Sequence, residues 1–278
     1  MTDPAILEEI MKINPIYKFR FLRAKEKLTA MVYPRVCPVC DKIIRQKDID
    51  RAAEESFRGH FENPFICKAC YLKLEFTTDL PVCMKCGRPI EDEREEYCRD
   101  CRNKQRDFNR GIALALHNES ARKIIYDLKY AGMRDNADAL AYEAAYLFAR
   151  EIAGMQIDAI IPVPLHRNRM RERMYNQAEL IAKRLAFFLE LYADIRIPVD
   201  ADHLIRAADT PRLSTLSGGE RAKSLAGAFD IKRGGQKYER VLLVDDIFTT
   251  GSTLNECAKT LRRFGTHMIY FLTMTIGS

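Results

Sequence analysis

Four apolar runs in the C-terminal two thirds of the chain alternate with stretches of helical spacing. The runs at 111–117, 158–164, 241–246 and 267–275 predict β-strands, and residues 120–132, 135–152 and 254–264 predict helices. Val241 to Val244 show no polar alternation, which is typical of a central parallel strand that helices cover on both faces. The order of these elements predicts an α/β fold with a parallel sheet and right-handed crossovers.

The first third of the chain has a different pattern. Residues 1–30 have helical apolar spacing and predict one or two helices. A cysteine-rich region follows, and the polar stretch at 102–110 is typical of a linker. We therefore expect three parts, namely an N-terminal helical segment at 1–30, a cysteine-rich unit at 31–107 and the α/β domain at 108–278.

Size and hydropathy narrow the class of protein. The chain has 278 residues, of which 47% are hydrophobic, so it can bury one large core or two smaller ones. No apolar run approaches the roughly 20 residues that a membrane-spanning helix needs. The N-terminal segment also lacks the basic start and apolar stretch of a secretory signal. These features predict a cytoplasmic protein without a membrane span.

Eight of the nine cysteines form four CxxC pairs, which are Cys37 with Cys40, Cys67 with Cys70, Cys83 with Cys86, and Cys98 with Cys101. A reducing cytosol disfavours disulfides, whereas two such pairs supply the four thiolates of a tetrahedral zinc site. We therefore predict two structural Zn²⁺ ions. An iron–sulfur cluster and a redox dithiol are the alternatives.

The spacing leaves the zinc pairing open. Sequential pairing would join the first two CxxC pairs and then the last two, and an interleaved pairing is the alternative. Gly87 follows the second cysteine of its knuckle, where the backbone turn needs a positive φ. His60 is expected in solvent, because the cysteines already fill the coordination sphere. Cys257 stands alone on a predicted helix and is expected to be a small buried apolar residue.

The segment VLLVDDIFTTGST at 241–253 joins the most apolar strand to a helix. In open α/β sheets ligands bind beyond the carboxyl ends of the strands, so we expect Asp245 and Asp246 to be exposed to a ligand there, where they can accept hydrogen bonds from vicinal hydroxyls. Residues with backbone N–H groups that converge on a phosphate follow them: Thr249, Thr250, Gly251, Ser252 and Thr253. The segment predicts a phosphosugar site, with ordinary helix capping as the alternative.

A second anion site is predicted at HRNRMRER, residues 166–173, where a strand and two prolines lead into a basic loop. We expect strand 159–161 to lie beside strand 241–244, so that this loop faces the same crevice. Arg167, Arg169 and Arg173 are the candidates for binding pyrophosphate, because guanidinium groups pair with phosphate oxygens. A solvated helix face is the alternative interpretation of this charge run.

The 241–253 segment resembles the phosphoribosyl pyrophosphate (PRPP) loop of type I phosphoribosyltransferases. The resemblance implies that Asp245 and Asp246 are the catalytic carboxylates and hold the ribose hydroxyls, while residues 249–253 wrap the 5′-phosphate. It also implies a Mg²⁺ ion bound together with PRPP.

The whole chain resembles the ComF family, whose members join a double zinc ribbon to a type I phosphoribosyltransferase domain. The motifs are CPVC at 37–40, CMKCG at 83–87, LKYAG at 128–132, IPVPLHRNRMRERMYNQAEL at 161–180, ER at 220–221 and VLLVDDIFTTGST. Where the family has Gln and Asn in the segment before its last loop, this chain has Leu213 and Ser224. The resemblance implies a PRPP-binding protein that works in natural competence and the handling of incoming DNA, alongside a competence helicase.

Three interpretations of this arrangement remain open. The first is a phosphoribosyltransferase enzyme, in which a nitrogen nucleophile displaces pyrophosphate from the ribose. The second is a non-catalytic PRPP sensor or adaptor, whose ribbons contact single-stranded DNA or the helicase. In the third the ribbons cover the crevice as a hood. Lysines and arginines near the knuckles, as in KCGR and CRDCRNKQR, favour a nucleic-acid contact.

Overall fold

A computed structural model describes residues 34–45, 47–48, 63–207 and 224–277. The predicted helices at 1–30, His60, Leu213 and the ER motif at 220–221 lie outside the described residues. Six strands are assigned in the described part: β1 (Arg110–Leu116), β2 (Ala159–Pro162), β3 (Leu204–Arg206), β4 (Phe229–Ile231), β5 (Arg240–Phe248) and β6 (Met268–Ile276). Its helices are α1 (Lys68–Tyr71), α2 (Arg99–Asn103), α3 (Glu119–Tyr130), α4 (Asn136–Met155), α5 (Arg167–Arg173), α6 (Gln177–Ala193) and α7 (Ser252–Arg263), and a 3₁₀ turn spans Thr77–Asp79.

The core is a four-stranded parallel sheet in the order β1, β6, β5, β2. β2 pairs with β5, and Ala159 lies opposite Val241. The predicted α/β fold, the parallel sheet and the adjacency of these two strands are confirmed. β3 and β4 form a separate antiparallel pair that the sequence pattern did not predict, because three residues per strand are too few to show a period.

Both faces of β5 are covered, which explains its lack of polar alternation. Leu242 and Val244 belong to the core cluster under α3, α4 and α6, whereas Val241 and Leu243 belong to the cluster under α7. Successive residues of a strand point to opposite faces, so a strand buried on both sides must be apolar throughout. Cys257 of α7 is completely buried in the second cluster, as predicted.

The predicted linker is a packed connection. Its residues 102–103 belong to α2, and Arg110 begins β1. Phe108 is completely buried and meets the Phe271 ring edge-on, with centroids 4.8 Å apart. A single large apolar residue inside a polar stretch therefore ties the cysteine-rich unit to the sheet. Among the described residues, no helix combines the length and apolar character that crossing a membrane requires.

Candidate functional site

The eight CxxC cysteines form two clusters. Cys37, Cys40, Cys67 and Cys70 make one cluster, and Cys83, Cys86, Cys98 and Cys101 make the other; within each, all Sγ atoms lie within 4.8 Å of one another. The Sγ atoms of Cys40 and Cys67 are 3.8 Å apart, and those of Cys86 and Cys98 are 3.7 Å apart.

These distances fit zinc. A tetrahedral site with Zn–S bonds of about 2.3 Å has edges of about 3.8 Å, whereas a disulfide bond is only about 2.05 Å long. Two Cys₄ sites can therefore hold two structural zinc ions. The sequential pairing is confirmed, and the interleaved pairing is wrong. We refer to residues 34–45 and 63–74 as the first zinc ribbon and to residues 81–103 as the second.

Gly87 adopts the predicted positive φ, at 72°. Its N–H donates to Cys83 O at 2.8 Å, and Cys83 N–H donates to Arg88 O at 2.7 Å, which closes the knuckle around the metal position. A Cβ atom at Gly87 would also lie 3.0 Å from Gly111 O on β1. Glycine is therefore needed here both for the turn and for the close approach to the sheet.

The first zinc ribbon docks on α4 through a buried carboxylate. Glu143 is 1% exposed, and its two oxygens accept hydrogen bonds from Tyr71 Oη and Asn63 Nδ2, each at 2.8 Å. Burial raises the pKa of Glu143 to about 7, although both hydrogen bonds oppose the rise. At the edge of this interface Arg35 pairs with Asp138 at 3.3 Å.

The second zinc ribbon docks on β1 and on the loop that follows β5. Gly111 N–H donates to Lys85 O at 2.9 Å, so the knuckle lies directly on the strand backbone. We refer to residues 249–253 as the phosphate loop. Arg88 Nη2 donates to Thr249 O at the start of this loop.

A crevice of about 380 Å³ opens at the carboxyl ends of β2 and β5. Six of the predicted site residues line it, namely Asp245, Asp246, Thr249, Thr253, Arg169 and Arg173. Thr250, Gly251 and Ser252 complete the adjacent phosphate loop. Arg167 is exposed and does not line the crevice. The predicted phosphosugar and pyrophosphate residues thus meet at one edge of the sheet.

The two carboxylates have different surroundings, because they point to opposite faces of β5. Asp246 is 2% exposed, and its Oδ1 pairs with Lys129 Nζ of α3 at 2.7 Å. Its Oδ2 is buried and has no hydrogen-bond partner among the described residues. The expectation that both acids are exposed at the strand end is therefore wrong for Asp246. β5 continues to Phe248, so this acid still lies within the strand.

Asp245 is partly buried on the other face. Burial, followed by the neighbouring Asp246 carboxylate, raises the pKa of Asp245 to about 7. A hydrogen bond of 2.9 Å from Asp246 N–H to Asp245 Oδ1 opposes this rise, as do the charges of Lys129 and Arg206. Asp245 therefore titrates close to neutral pH.

The phosphate loop is a tight turn that begins α7. Gly251 has φ 72° and is the residue before the helix. A Cβ atom at Gly251 would lie 2.6 Å from the Phe248 ring, so no larger residue fits without a shift. Thr250 Oγ1 and Ser252 Oγ are 2.9 Å apart. The loop thus offers hydroxyl groups and the free N–H groups of a helix start, which suit a phosphate.

The prediction of a basic loop at 166–173 is wrong, because Arg167–Arg173 form the helix α5. Its N-cap His166 accepts a hydrogen bond from Asn168 N–H through Nδ1, at 3.3 Å. Helical spacing brings Arg169 and Arg173, four residues apart, to the crevice side. Arg173 Nη1 donates to Gln177 Oε1 at 2.9 Å, and its guanidinium carbon lies 5.0 Å from the centroid of the Tyr130 ring.

The residues that line the crevice and that sequence reasoning missed include Lys129, Tyr130 and Arg206. Lys129 and Tyr130 lie in LKYAG, a motif that carries the family resemblance but to which the sequence pattern assigned no role. Arg206 is buried at the end of β3, where its guanidinium carbon lies 5.4 Å from the centroid of the Phe229 ring. No local signal marks Arg206, because its strand has only three residues.

Comparison with known families supports the cysteine clusters. A family model described as a double zinc ribbon domain matches residues 56–102. The match covers three of the four CxxC pairs. The pair of Cys37 and Cys40 precedes it, and the structure brings these two residues to Cys67 and Cys70.

Curated proteins match most of the chain. It is 30% identical to "DNA utilization protein YhgH" of Escherichia coli strain K12 over 203 residues, which cover 72% of this chain and 85% of the relative. It is 29% identical to "Competence protein F" of Haemophilus influenzae over 215 residues, covering 76% and 90%. It is 24% identical to "Competence protein ComFC" of Bacillus subtilis over 243 residues, covering 84% and 91%.

Proposed function

Because this chain belongs to the ComF family of competence and DNA utilization proteins, we propose that it binds PRPP in the crevice and works in the handling of incoming DNA. We propose Mg²⁺-dependent phosphoribosyl transfer as its activity and the cytoplasm as its location. One observation supports the ligand above all: two carboxylates, a helix-start phosphate loop and two arginines line or border a single crevice.

The ribose and its 5′-phosphate would occupy the part of the crevice formed by β5 and the phosphate loop. Asp246 Oδ2 is buried without a partner among the described residues, which normally costs about 1–3 kcal/mol, and a ribose hydroxyl would satisfy it. Lys129 Nζ pairs with the other oxygen, Asp246 Oδ1, at 2.7 Å. The hydroxyls of Thr250 and Ser252 and the N–H groups at the start of α7 would donate to the phosphate.

Pyrophosphate would lie toward α5, where Arg169 and Arg173 line the crevice. The donor set also suits Mg²⁺, since carboxylate oxygens are ligands that this ion prefers. Asp245 and Asp246 would hold the ion together with the PRPP oxygens, and it would neutralise charge on the pyrophosphate. The arginines would stabilise the same charge as the pyrophosphate leaves.

In the proposed transfer, a nitrogen nucleophile forms a bond to C1 of the ribose while the bond from C1 to pyrophosphate breaks. Positive charge develops on the ribose ring in the transition state. The Asp245 and Asp246 carboxylates would stabilise that charge, and the phosphate loop would fix the position of the ring.

Asp245→Asn tests the site. We expect PRPP affinity in the presence of Mg²⁺ to fall roughly tenfold or more in calorimetry, because a charged acceptor is lost. Asp202→Asn is the matched control, since Asp202 is exposed and pairs with Lys232 at 3.1 Å, away from the crevice. Equal PRPP affinity in the wild type and Asp245→Asn would refute the assignment.

A PRPP sensor is the second candidate, and the contact between the second zinc ribbon and the phosphate loop favours it. A ligand that binds at the phosphate loop would act on the ribbon directly through this contact. Incubation with PRPP, Mg²⁺ and a panel of nucleobases and amines separates the two candidates, because only the enzyme releases pyrophosphate. In the sensor, single-stranded DNA or a helicase would contact the ribbons, and DNA affinity would fall steeply with salt.

A further inference from the structure

The second zinc ribbon and the segment that joins it to β1 each reach the phosphate loop through one arginine side chain. Arg88 Nη2 donates to Thr249 O, and Arg106 Nη2 donates to Thr250 O at 3.1 Å. Both bonds connect residues more than a hundred positions apart in the chain. Each one engages a backbone carbonyl, so it constrains the path of the loop whatever its side chains are.

Through the geometry of the peptide bond, these two contacts set the direction of N–H groups in the phosphate loop. In a trans peptide the C=O of one residue and the N–H of the next lie in one plane and point in opposite directions. When Arg88 holds Thr249 O, the Thr250 N–H therefore points away from the ribbon. When Arg106 holds Thr250 O, the Gly251 N–H points away from Arg106. The two arginines orient donors that a phosphate loop presents to its ligand.

Arg88 is held in place by the zinc knuckle. Its carbonyl accepts from Cys83 N–H at 2.7 Å, and it directly follows Gly87, whose turn packs on Gly111 of β1. Its guanidinium carbon lies 5.9 Å from the centroid of the Phe248 ring, the ring that packs beneath Gly251. The position of this arginine therefore depends on the fold that the second zinc ion organises.

Arg106 is held in place by α7 itself. The neighbouring Asp107 N–H donates to Asn255 Oδ1 at 2.8 Å, and Asn255 Nδ2 donates back to Asp107 Oδ2 at 3.0 Å. On the other side of Asp107, Phe108 is completely buried. The segment between the ribbon and β1 thus fastens Arg106 to the helix that the phosphate loop begins.

We propose that Arg88 and Arg106 are positioning residues of the phosphate loop, so that the second zinc ribbon forms part of the phosphosugar site. They act through the loop backbone and do not touch the ligand. Their two positive charges lie behind the loop and also raise the local potential for an anion. The effect on ligand binding rests on the proposed function, whereas the effect on the loop does not.

The first test is hydrogen exchange of the protein without ligand. In Arg88→Ala and in Arg106→Ala we expect faster amide exchange at 249–253 and unchanged exchange at 241–247 of β5, because the loop alone loses its restraint. Arg94→Ala is the matched control, since Arg94 is exposed on the same ribbon and pairs with Asp92 at 2.9 Å. Unchanged exchange at 249–253 in both variants would overturn the proposal.

The second test separates positioning from general destabilisation. Ribose 5-phosphate probes the loop, and inorganic pyrophosphate probes Arg169 and Arg173. We expect Arg88→Ala to weaken ribose 5-phosphate roughly tenfold, with pyrophosphate affinity and the zinc content unchanged. Arg88→Lys should recover part of the affinity, because lysine keeps a charged donor. Equal losses for both probes would mean a merely structural role and would overturn the proposal.

Ligand binding by the wild-type protein shows separately whether the proposed function fails. If the wild-type protein binds neither PRPP nor ribose 5-phosphate, the PRPP assignment is wrong. The exchange rates at 249–253 then still decide whether Arg88 and Arg106 restrain the loop. Arg106→Ala provides a second variant that leaves the zinc knuckle intact, so loss of folding in one variant does not prevent the test.

Discussion

The two zinc ribbons have the same ligand set but dock on the α/β domain by different chemistry. The first ribbon contacts α4, and the centre of that interface is the Glu143 carboxylate between Tyr71 and Asn63. The second ribbon contacts β1 and the phosphate loop, where Arg88 of the ribbon and Arg106 of the segment after it donate to backbone carbonyls. Neither α4 nor the first ribbon contributes a described residue to the lining of the crevice, whereas the second contact reaches the proposed phosphate site. The comparison suggests that the first ribbon serves stability and the second serves the site.

Removal of one ligand from each ribbon should give the largest difference. Cys83→Ser should lose one of the two zinc ions and reduce PRPP affinity by about a hundredfold, because metal binding is folding free energy for such a unit. Cys70→Ser should lose one zinc ion as well but change PRPP affinity by less than about threefold. Zinc analysis by atomic emission and calorimetry with PRPP measure both.

Equal losses of PRPP affinity in the two cysteine variants would contradict the division of roles. A protein that contains no zinc as purified from native conditions would refute the zinc assignment itself.

Glu143→Ala should destabilise the first interface without affecting the site. Removing this carboxylate leaves the Tyr71 hydroxyl without its acceptor, and the buried Asn63 amide keeps only its bond to Ala139 O, at 3.1 Å. The loss should lower the free energy of unfolding by about 2–4 kcal/mol. Urea denaturation measures the change. Glu151→Ala on the same helix is the control, because its partly exposed pair with Arg110 is worth less than about 1 kcal/mol.

The titration of Asp245 should make the affinity for PRPP depend on pH. Because the pKa of Asp245 is about 7, this carboxyl group is protonated in the free protein at pH 6. A ligand that requires the carboxylate must displace that proton. PRPP affinity in Mg²⁺ should therefore rise about tenfold between pH 6 and pH 8. The same titration on Asp245→Asn corrects for the phosphates of PRPP, and an identical pH dependence in both proteins would refute the prediction.

The titration of Glu143 should make the free energy of unfolding depend on pH. Its pKa is raised in the folded protein to about 7, so its contribution is full at low pH and is lost as pH rises through 7. Between pH 6 and pH 8 the free energy of unfolding should fall by about 1 kcal/mol from this group. Glu143→Gln should flatten that part of the curve, and a wild-type slope in Glu143→Gln would show that another group titrates.

Some features of the site could be read from contiguous residues. The φ of Gly87 follows from its place in a CxxC knuckle, and the burial of Cys257 follows from helical spacing. The pairing of β2 with β5 follows from two apolar strands that each lead into polar loops. Each of these depends on local sequence and on packing rules that hold for any parallel sheet.

Other features depend on contacts between distant residues. The pattern VDD predicts two acids at a strand end, but Lys129 on α3 decides that Asp246 is paired and buried. The run HRNRMRER is basic in any interpretation, yet its folding as α5 selects Arg169 and Arg173 over Arg167. The polar stretch at 102–110 gave no sign that Arg106 contacts the phosphate loop.

The sequence by itself determined the elements of this protein: a parallel α/β sheet, four cysteine knuckles and a phosphate loop after two acids. Hydrophobic period, metal-ligand spacing and turn residues are local properties, so they can be read along the chain. Only the tertiary structure decided which knuckles share a metal, which face of β5 each acid occupies, and that Arg88 and Arg106 hold the loop. These are matters of distance between segments far apart in sequence, and they are settled when the ribbons pack on the sheet.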